Sequence, residues 1–298
     1  MKKNTAYKRR RGDRRDGRLV KDNPGLNTIM AFLWPNRTDC EVYLHDTVDC
    51  TELLKYLEKR NEGKTEEKMT LFHCTVTALA RMFYERPKMN RFVQGGRTYE
   101  RYDKLLSFVA KRRFTDHAEE TLMVLNAKPE MTVDDISRKI IGDVRESRKS
   151  EKATGGVDEL LDTLAKFPRL FLLIFIRCIR WLDFWGRVPK SLTDGDPNFT
   201  SVTLSNLGSI KCPSVYHHLS NYGTTSILLT IGVIHKEEML MEDGHKEIRD
   251  CVDIGATLDE RIADGFYFAK SLKLVKHLFA NPELLELPIG TDCGFDYK

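Results

Sequence analysis

The densest group of chemically able side chains in this 298-residue sequence is Asp259-Glu260-Arg261, followed closely by Asp264-Gly265. The group stands where an apolar, β-prone segment gives way to an amphipathic helical pattern. At such a junction, backbone N–H groups and side chains can converge on a ligand. The plainer role is a charged turn, with Asp264 capping the helix and Gly265 allowing the tight entry. A second polar turn, Ser205-Asn206-Leu207-Gly208, lies about fifty residues earlier at the end of another β-prone run. Two further features could carry chemistry, the paired histidines His217-His218 and seven cysteines. The cysteines are scattered, odd in number and free of any C-x-x-C pair, which argues against both zinc and a disulfide framework. No carboxylate or cysteine stands at ligand spacing beside the histidines, so no metal is expected there either.

The elements that must hold these turns follow from pattern. Residues 27–36 read as a short apolar helix stopped by Pro35. Residues 39–48 form a strand, and 51–60 a capped helix with Leu53, Leu54 and Leu57 on one face. Phe72, Val76, Leu79 and Phe83 recur at helical spacing, which predicts a helix over 70–86 ended by Pro87. Cys74 belongs to its packing, and His73 is expected to be exposed or locally hydrogen-bonded. Gly95-Gly96 marks a hairpin within 92–98. Strands are expected over 104–113 and 119–126, then a polar helix over 132–149 and a loop over 150–156. Residues 157–185 read as one long, strongly apolar helix. Arg177, Arg180 and Asp183 break the run of about 20 apolar residues that a membrane span requires. It is therefore expected to be a buried core or interface helix. Strands follow at 200–204, at 227–234 (buried on both faces) and at 250–258. A polar hairpin turns at Asp243-Gly244, and a last helix covers 265–279.

The composition, 41% apolar and 31% charged, is that of a soluble globular chain. The net charge of +4 hides a division. Residues 1–21 hold ten Lys or Arg against Asp13 and Asp16, leaving the remainder near −4. The basic segment is expected to stay mobile or lie across a neighbouring surface. Nucleic-acid binding is not expected, because only Tyr7 interleaves the charges. No apolar stretch follows the basic start, so a reduced, cytoplasmic setting without a membrane partner fits best.

Taken together, the turns resemble the two signature blocks of the chloramphenicol acetyltransferase and dihydrolipoamide acyltransferase superfamily. Ser205-Asn206-Leu207-Gly208 is similar to its Ser-Asn-Leu-Gly block. Residues 259–265 are similar to its Asp-His-Arg-x-x-Asp-Gly block, and Asn281-Pro282-Glu283-Leu284-Leu285 to the x-Pro-x-x-Leu-Leu after the next helix. Asp49-Cys50-Thr51-Glu52-Leu53-Leu54 and Glu85-Arg86-Pro87-Lys88-Met89-Asn90 resemble two earlier motifs in the right order.

The resemblance implies a chloramphenicol acetyltransferase-like, mixed-sheet α/β fold. It divides the chain into a basic flexible arm (1–24), an acyltransferase-like domain (25–289) and a short tail (290–298). It further implies a homotrimer with active sites between neighbouring subunits. Acyl-CoA would be the donor and a thiol or hydroxyl compound the acceptor, with no metal. Ser205 would donate to the tetrahedral oxyanion. Asp264 would brace the loop through an arginine, with Arg37 as its candidate partner. The family's general-base histidine is replaced by Glu260. Ordinary pKa values are about 4.3 for a glutamate and about 8.5 for a thiol, so base-for-base exchange is not the default. His217-His218 offers a relocated base, although a loop or subunit contact is the commoner role of such a pair. Nothing before residue 25 could hold a lipoyl or subunit-binding domain, which implies a free-standing enzyme without its own lipoyl group, or one served by a lipoyl domain on another chain. The residues leave open a second reading, an inactive trimeric scaffold or a CoA- or acyl-binding protein.

Overall fold

The computed structural model describes residues 9–111, 120–149, 163–164, 166–241 and 243–297. Nine strands and six helices of at least nine residues alternate along the described chain. In order they are β1 (Gly17–Leu19), α1 (Gly25–Leu33), β2 (Glu41–Asp49), α2 (Thr51–Asn61) and α3 (Leu71–Glu85). Next come β3 (Arg91–Gln94), β4 (Arg97–Arg101), β5 (Leu105–Lys111), β6 (Glu120–Asn126) and α4 (Val133–Lys149). The last five are α5 (Arg169–Phe184), β7 (Val202–Asn206), β8 (Ile227–Leu240), β9 (Lys246–Asp259) and α6 (Gly265–Ala280).

A six-stranded sheet in the order β2-β9-β8-β7-β5-β6 carries the fold. It is mixed: β7 runs parallel to both β5 and β8, and every other pairing is antiparallel. One face is apolar. Leu204, Leu229 and Ile254 point from it into the core shared with Leu53, Val76, Leu79 and Phe83 of α2 and α3, and with Leu274 and Leu278 of α6. Alternate residues point to the other face, where Ser205, Thr230, Gly255 and His45 form one row across four strands. The small sheet β1-β4-β3 flanks this body.

Helix and strand positions agree with the periodicity, with two departures. The apolar run 227–234 and the polar hairpin are parts of one long pair, β8 and β9, whose outer half carries alternating charges. His73 takes the second of the two roles expected for it, a local hydrogen bond, and is buried: its Nδ1 accepts the Thr70 N–H at 3.1 Å, closing a reciprocal cap on α3. The second departure is the extent of the apolar helix, expected over 157–185 but interrupted at 166–168. Residues 150–162 and 165 lie outside the described residues, and α5 begins after Pro168. Of the two roles expected for it, core or interface, α5 does not take the first within one chain, since it presents Leu170, Ile174, Trp181 and Phe184 to solvent. Only Ile179 and Asp183 are fully covered.

Within the basic segment, β1 pairs with β4 through Gly17↔Arg101 and Leu19↔Tyr99. Arg14 buries its guanidinium and donates to Asp183 Oδ1 at 2.8 Å. The chain from Arg14 to Leu19 thus lies on the body. At the other end, Arg81 donates to the Thr291 carbonyl at 2.6 Å, and the Tyr297 hydroxyl donates to Glu85 at 2.9 Å.

The His73 cap gives the fold a measurable acid sensitivity. Burial pushes the imidazole down from 6.5 to about 4. Between those values the unfolded chain takes up a proton that the folded chain refuses. Stability from this site is therefore complete above about pH 6.5 and falls as pH drops toward about 4, by a total of about 3 kcal/mol. Denaturant unfolding of the wild type should show that fall, and His73→Gln should flatten it. Parallel pH profiles for the two proteins would rule this out.

Candidate functional site

The second polar turn opens where β9 ends. Asp259 is the last residue of that strand, wholly buried, and it anchors the turn. Its carboxylate accepts two side-chain hydrogen bonds from Arg261, Nε to Oδ1 at 2.8 Å and the terminal nitrogen to Oδ2 at 2.7 Å. Arg37 brings its Nε to 3.6 Å from the same carboxylate. Burial alone lowers a guanidinium, but at Arg261 the hydrogen bonds and charge of Asp259 outweigh it and the pKa rises. Arg37, with the looser contact, is left lowered by burial. Arg261 also donates to the Trp34 carbonyl at 2.8 Å, and Arg37 to the carbonyls of Ser220 (2.6 Å) and Val93 (3.2 Å). One buried ionic knot therefore joins the end of α1, the entry to β2, the β3–β4 hairpin and the loop before β8.

Arg37 was expected beside Asp264, and the structure corrects this. Asp264 is exposed, and its Oδ1 accepts the Tyr267 N–H at 2.8 Å as the N-cap of α6. The buried carboxylate of Asp259 takes the arginine instead. Desolvation makes pairing compulsory for Arg37, whereas Asp264 has water and a helix N-terminus.

Between anchor and cap stands Glu260. Its backbone N–H donates to the Cys40 carbonyl at 2.9 Å, so its main chain is fixed. Its side chain is half-buried and has no hydrogen bond or ion pair among the described residues. Asp259 and Arg261 point into the knot, and the carboxylate between them is left available.

Ser205 lies near the end of β7, half-buried, and its hydroxyl is likewise without a partner among the described residues. The turn after it, 207–210, folds back on β8. A Cβ on Gly208 would sit 2.5 Å from the Gly232 carbonyl oxygen, so only glycine permits that approach.

The register places Ser205 and Glu260 well apart. Ser205 pairs with Thr230, and Thr230 with Gly255. Glu260 lies five residues beyond Gly255. At about 3.3 Å per residue along a strand and about 4.8 Å between strands, the separation is close to 20 Å. Acid–base contact needs about 3 Å. One copy of the chain does not bring these two residues together.

His217 and His218 are exposed and stacked on each other, ring centroids 4.7 Å apart, in the loop before β8. A different imidazole group was missed in the sequence. His45 Nε2 (3.8 Å) and His235 Nδ1 (4.0 Å) flank Asp253, whose Oδ1 also accepts the Thr47 hydroxyl at 2.7 Å. His45 and Asp253 project from the sheet face that carries Ser205. Alternation within β2 and β9 was visible in the sequence, but the register joining them was not. Among the described residues no group of three or more His, Cys, Asp or Glu is arranged to hold a metal ion.

Residues 189–287 match the family model of the 2-oxoacid dehydrogenases acyltransferase (catalytic domain). A probable dihydrolipoamide acetyltransferase from Listeria monocytogenes superposes over 91% of this chain and 95% of its own, with a TM-score of 0.58 at 15% identity. The chain has the acyltransferase catalytic-domain fold. The resemblance drawn from its motifs holds, and the mixed-sheet α/β architecture is the one expected. The Azotobacter vinelandii dihydrolipoamide acetyltransferase, studied for the catalytic roles of a serine, a histidine and an asparagine, shares the acyltransferase fold over 88% of both chains (TM-score 0.53, 15% identity). So does the cubic core of the pyruvate dehydrogenase multienzyme complex, over 88% of both chains (TM-score 0.52, 14% identity). At these identities the likeness is one of fold. No curated protein matches the sequence.

Proposed function

We propose that this chain is an acyltransferase that moves an acyl group between coenzyme A and a thiol or hydroxyl acceptor, working as a homo-oligomer, a trimer by analogy with its fold relatives. The observation that carries the reading is the pair of unpartnered groups on this fold, the Ser205 hydroxyl and the Glu260 carboxylate. Each stands on a rigid turn, and the two are about 20 Å apart in one copy. Residues so separated can share one reaction centre only if Ser205 of one subunit faces Glu260 of another. The cubic core among the fold relatives is an assembly of this kind of chain. The Azotobacter enzyme's serine and histidine supply the analogy for the two roles.

In this reading the acceptor S–H or O–H gives its proton to the Glu260 carboxylate as its sulfur or oxygen attacks the acyl carbonyl. The Ser205 hydroxyl donates a hydrogen bond to the tetrahedral oxyanion. Collapse expels the coenzyme A thiolate, which takes the proton back from Glu260. A neighbouring subunit closed over the turn excludes water, and exclusion of water strengthens a carboxylate as a base. Asp264 takes no part in proton transfer. By capping α6 it braces the turn that aims Glu260, and the Asp259 knot holds that turn from the other side. The domain spans residues 25–289, with the basic segment before it and the short tail after it.

The test is thiol release from acetyl-CoA and succinyl-CoA with small thiol and hydroxyl acceptors. Acceptor-dependent release is expected for at least one donor. Its absence for all of them would leave an inactive scaffold of the same fold. Light scattering should report a mass near three chains, and a monomer at assay concentration would contradict the shared site.

A further inference from the structure

Helix α5 is set apart by what it leaves in water. Its covered stripe is narrow, running through Leu172, Phe175, Ile179 and Asp183. Most of the remaining circumference is apolar: Leu170 is 70% exposed, Ile174 55% and Trp181 59%. Helix α1 adds a second such face, with Leu26 71% and Phe32 67% exposed. The two faces adjoin. A Cβ on Gly95 would lie 2.3 Å from the Phe184 carbonyl oxygen, and one on Gly96 would meet the Phe32 ring at 2.7 Å. Phe32, Trp181 and Phe184 also line one cleft of about 430 Å³. All three tryptophans of the chain are exposed: Trp181 lies within α5, and Trp185 and Trp34 directly follow α5 and α1. An apolar patch of this extent marks a contact surface.

Its charge identifies the partner. From Arg169 to Lys190 the exposed ionic groups are Arg169, Arg177, Arg180, Arg187 and Lys190, all cationic. The lone acid, Asp183, is buried against Arg14 (2.8 Å) and Gln94 (2.7 Å). A two-fold, self-complementary contact between copies would set these cations against their equivalents, and a three-fold contact would need a carboxylate-rich patch elsewhere on the chain to meet them. Anionic headgroups would neutralise them, while the tryptophans take the interfacial level they favour and the leucine and isoleucine side chains enter the acyl boundary. With 16 residues the helix is too short to span a bilayer, and no described helix is long and apolar enough to cross one. The helix also precedes residues 189–287, so the acyltransferase family match does not account for it.

We propose that α5, with α1 beside it, is an in-plane anchor that docks this protein on an anionic membrane surface. The proposal is independent of the acyl-transfer reading. Full-length protein is expected to co-sediment with vesicles of phosphatidylcholine and phosphatidylglycerol, weakly with phosphatidylcholine alone, and less as salt rises. Tryptophan emission should shift to the blue on binding. A variant carrying Leu170→Glu and Ile174→Glu should lose at least about tenfold in vesicle affinity with its circular dichroism unchanged. The pair Arg177→Gln and Arg180→Gln should weaken binding to anionic vesicles only. Failure to bind anionic vesicles would overturn the proposal, as would binding that both variants leave intact. Loss of oligomer mass in the Glu variant without any vesicle binding would assign the surface to a contact between copies, and would overturn it too.

Discussion

Removing the Glu260 carboxylate as Glu260→Gln is expected to lower kcat for acyl transfer by about 10²- to 10⁴-fold, the usual contribution of a positioned general base. The substitution keeps size and backbone, and the side chain has no partner among the described residues to lose, so folding should be unaffected. Ser205→Ala is expected to cost about 10²- to 10³-fold, the ordinary worth of one oxyanion donor. Each loss should lower kcat and kcat/KM together, as expected of an interaction made in the transition state. Activity indifferent to Glu260→Gln would exclude that side chain from proton transfer and turn attention to the imidazoles flanking Asp253 on the Ser205 face.

The second large effect is on stability. Asp259→Ala is expected to destabilise the fold by about 3–5 kcal/mol, because it leaves buried charge without its counter-charge. The side chains of Arg261 and Arg37 are 1% and 2% exposed and lean on this single carboxylate. Asp259→Asn, which keeps an acceptor but no charge, should fall between. Denaturant unfolding measures both. A loss below about 1 kcal/mol for Asp259→Ala would mean that water or the backbone carbonyls already satisfy the two arginines. The expected loss is the same at every substrate concentration, which separates it from the kinetic effect of Glu260→Gln.

These two residues also show what could be read from the chain before its structure. The turns that carry Glu260 and Ser205 were legible because they are local objects. Ser205 to Gly208 and Asp259 to Gly265 are fixed by neighbours in sequence, and so is the capping role of Asp264. Helix α3 was legible for the same reason, since Phe72, Val76, Leu79 and Phe83 reveal its buried face. The partner of Arg37 was not legible, because it depends on β2 lying beside β9, a pairing between residues more than 200 positions apart. The long hairpin was divided because His235 to Leu240 is polar while Ile227 to Ile234 is not, although one pair of strands runs through both. Helix α5 was read as a core or interface helix, and the sequence could not decide between the two. Apolarity reports that a surface is better out of water, but not that the covering partner belongs to the same chain.

The central claim is that the reaction centre lies between copies, with Ser205 from one and Glu260 from the next. The most direct measurement mixes the two inactive variants. Ser205→Ala and Glu260→Gln chains, unfolded together in equal amounts and refolded, should recover about a quarter of wild-type activity, because about one interface in four then holds an intact serine and an intact glutamate. Each variant refolded alone should recover almost none. Mixed assemblies, verified by mass, that are no more active than the variants alone would contradict the shared site.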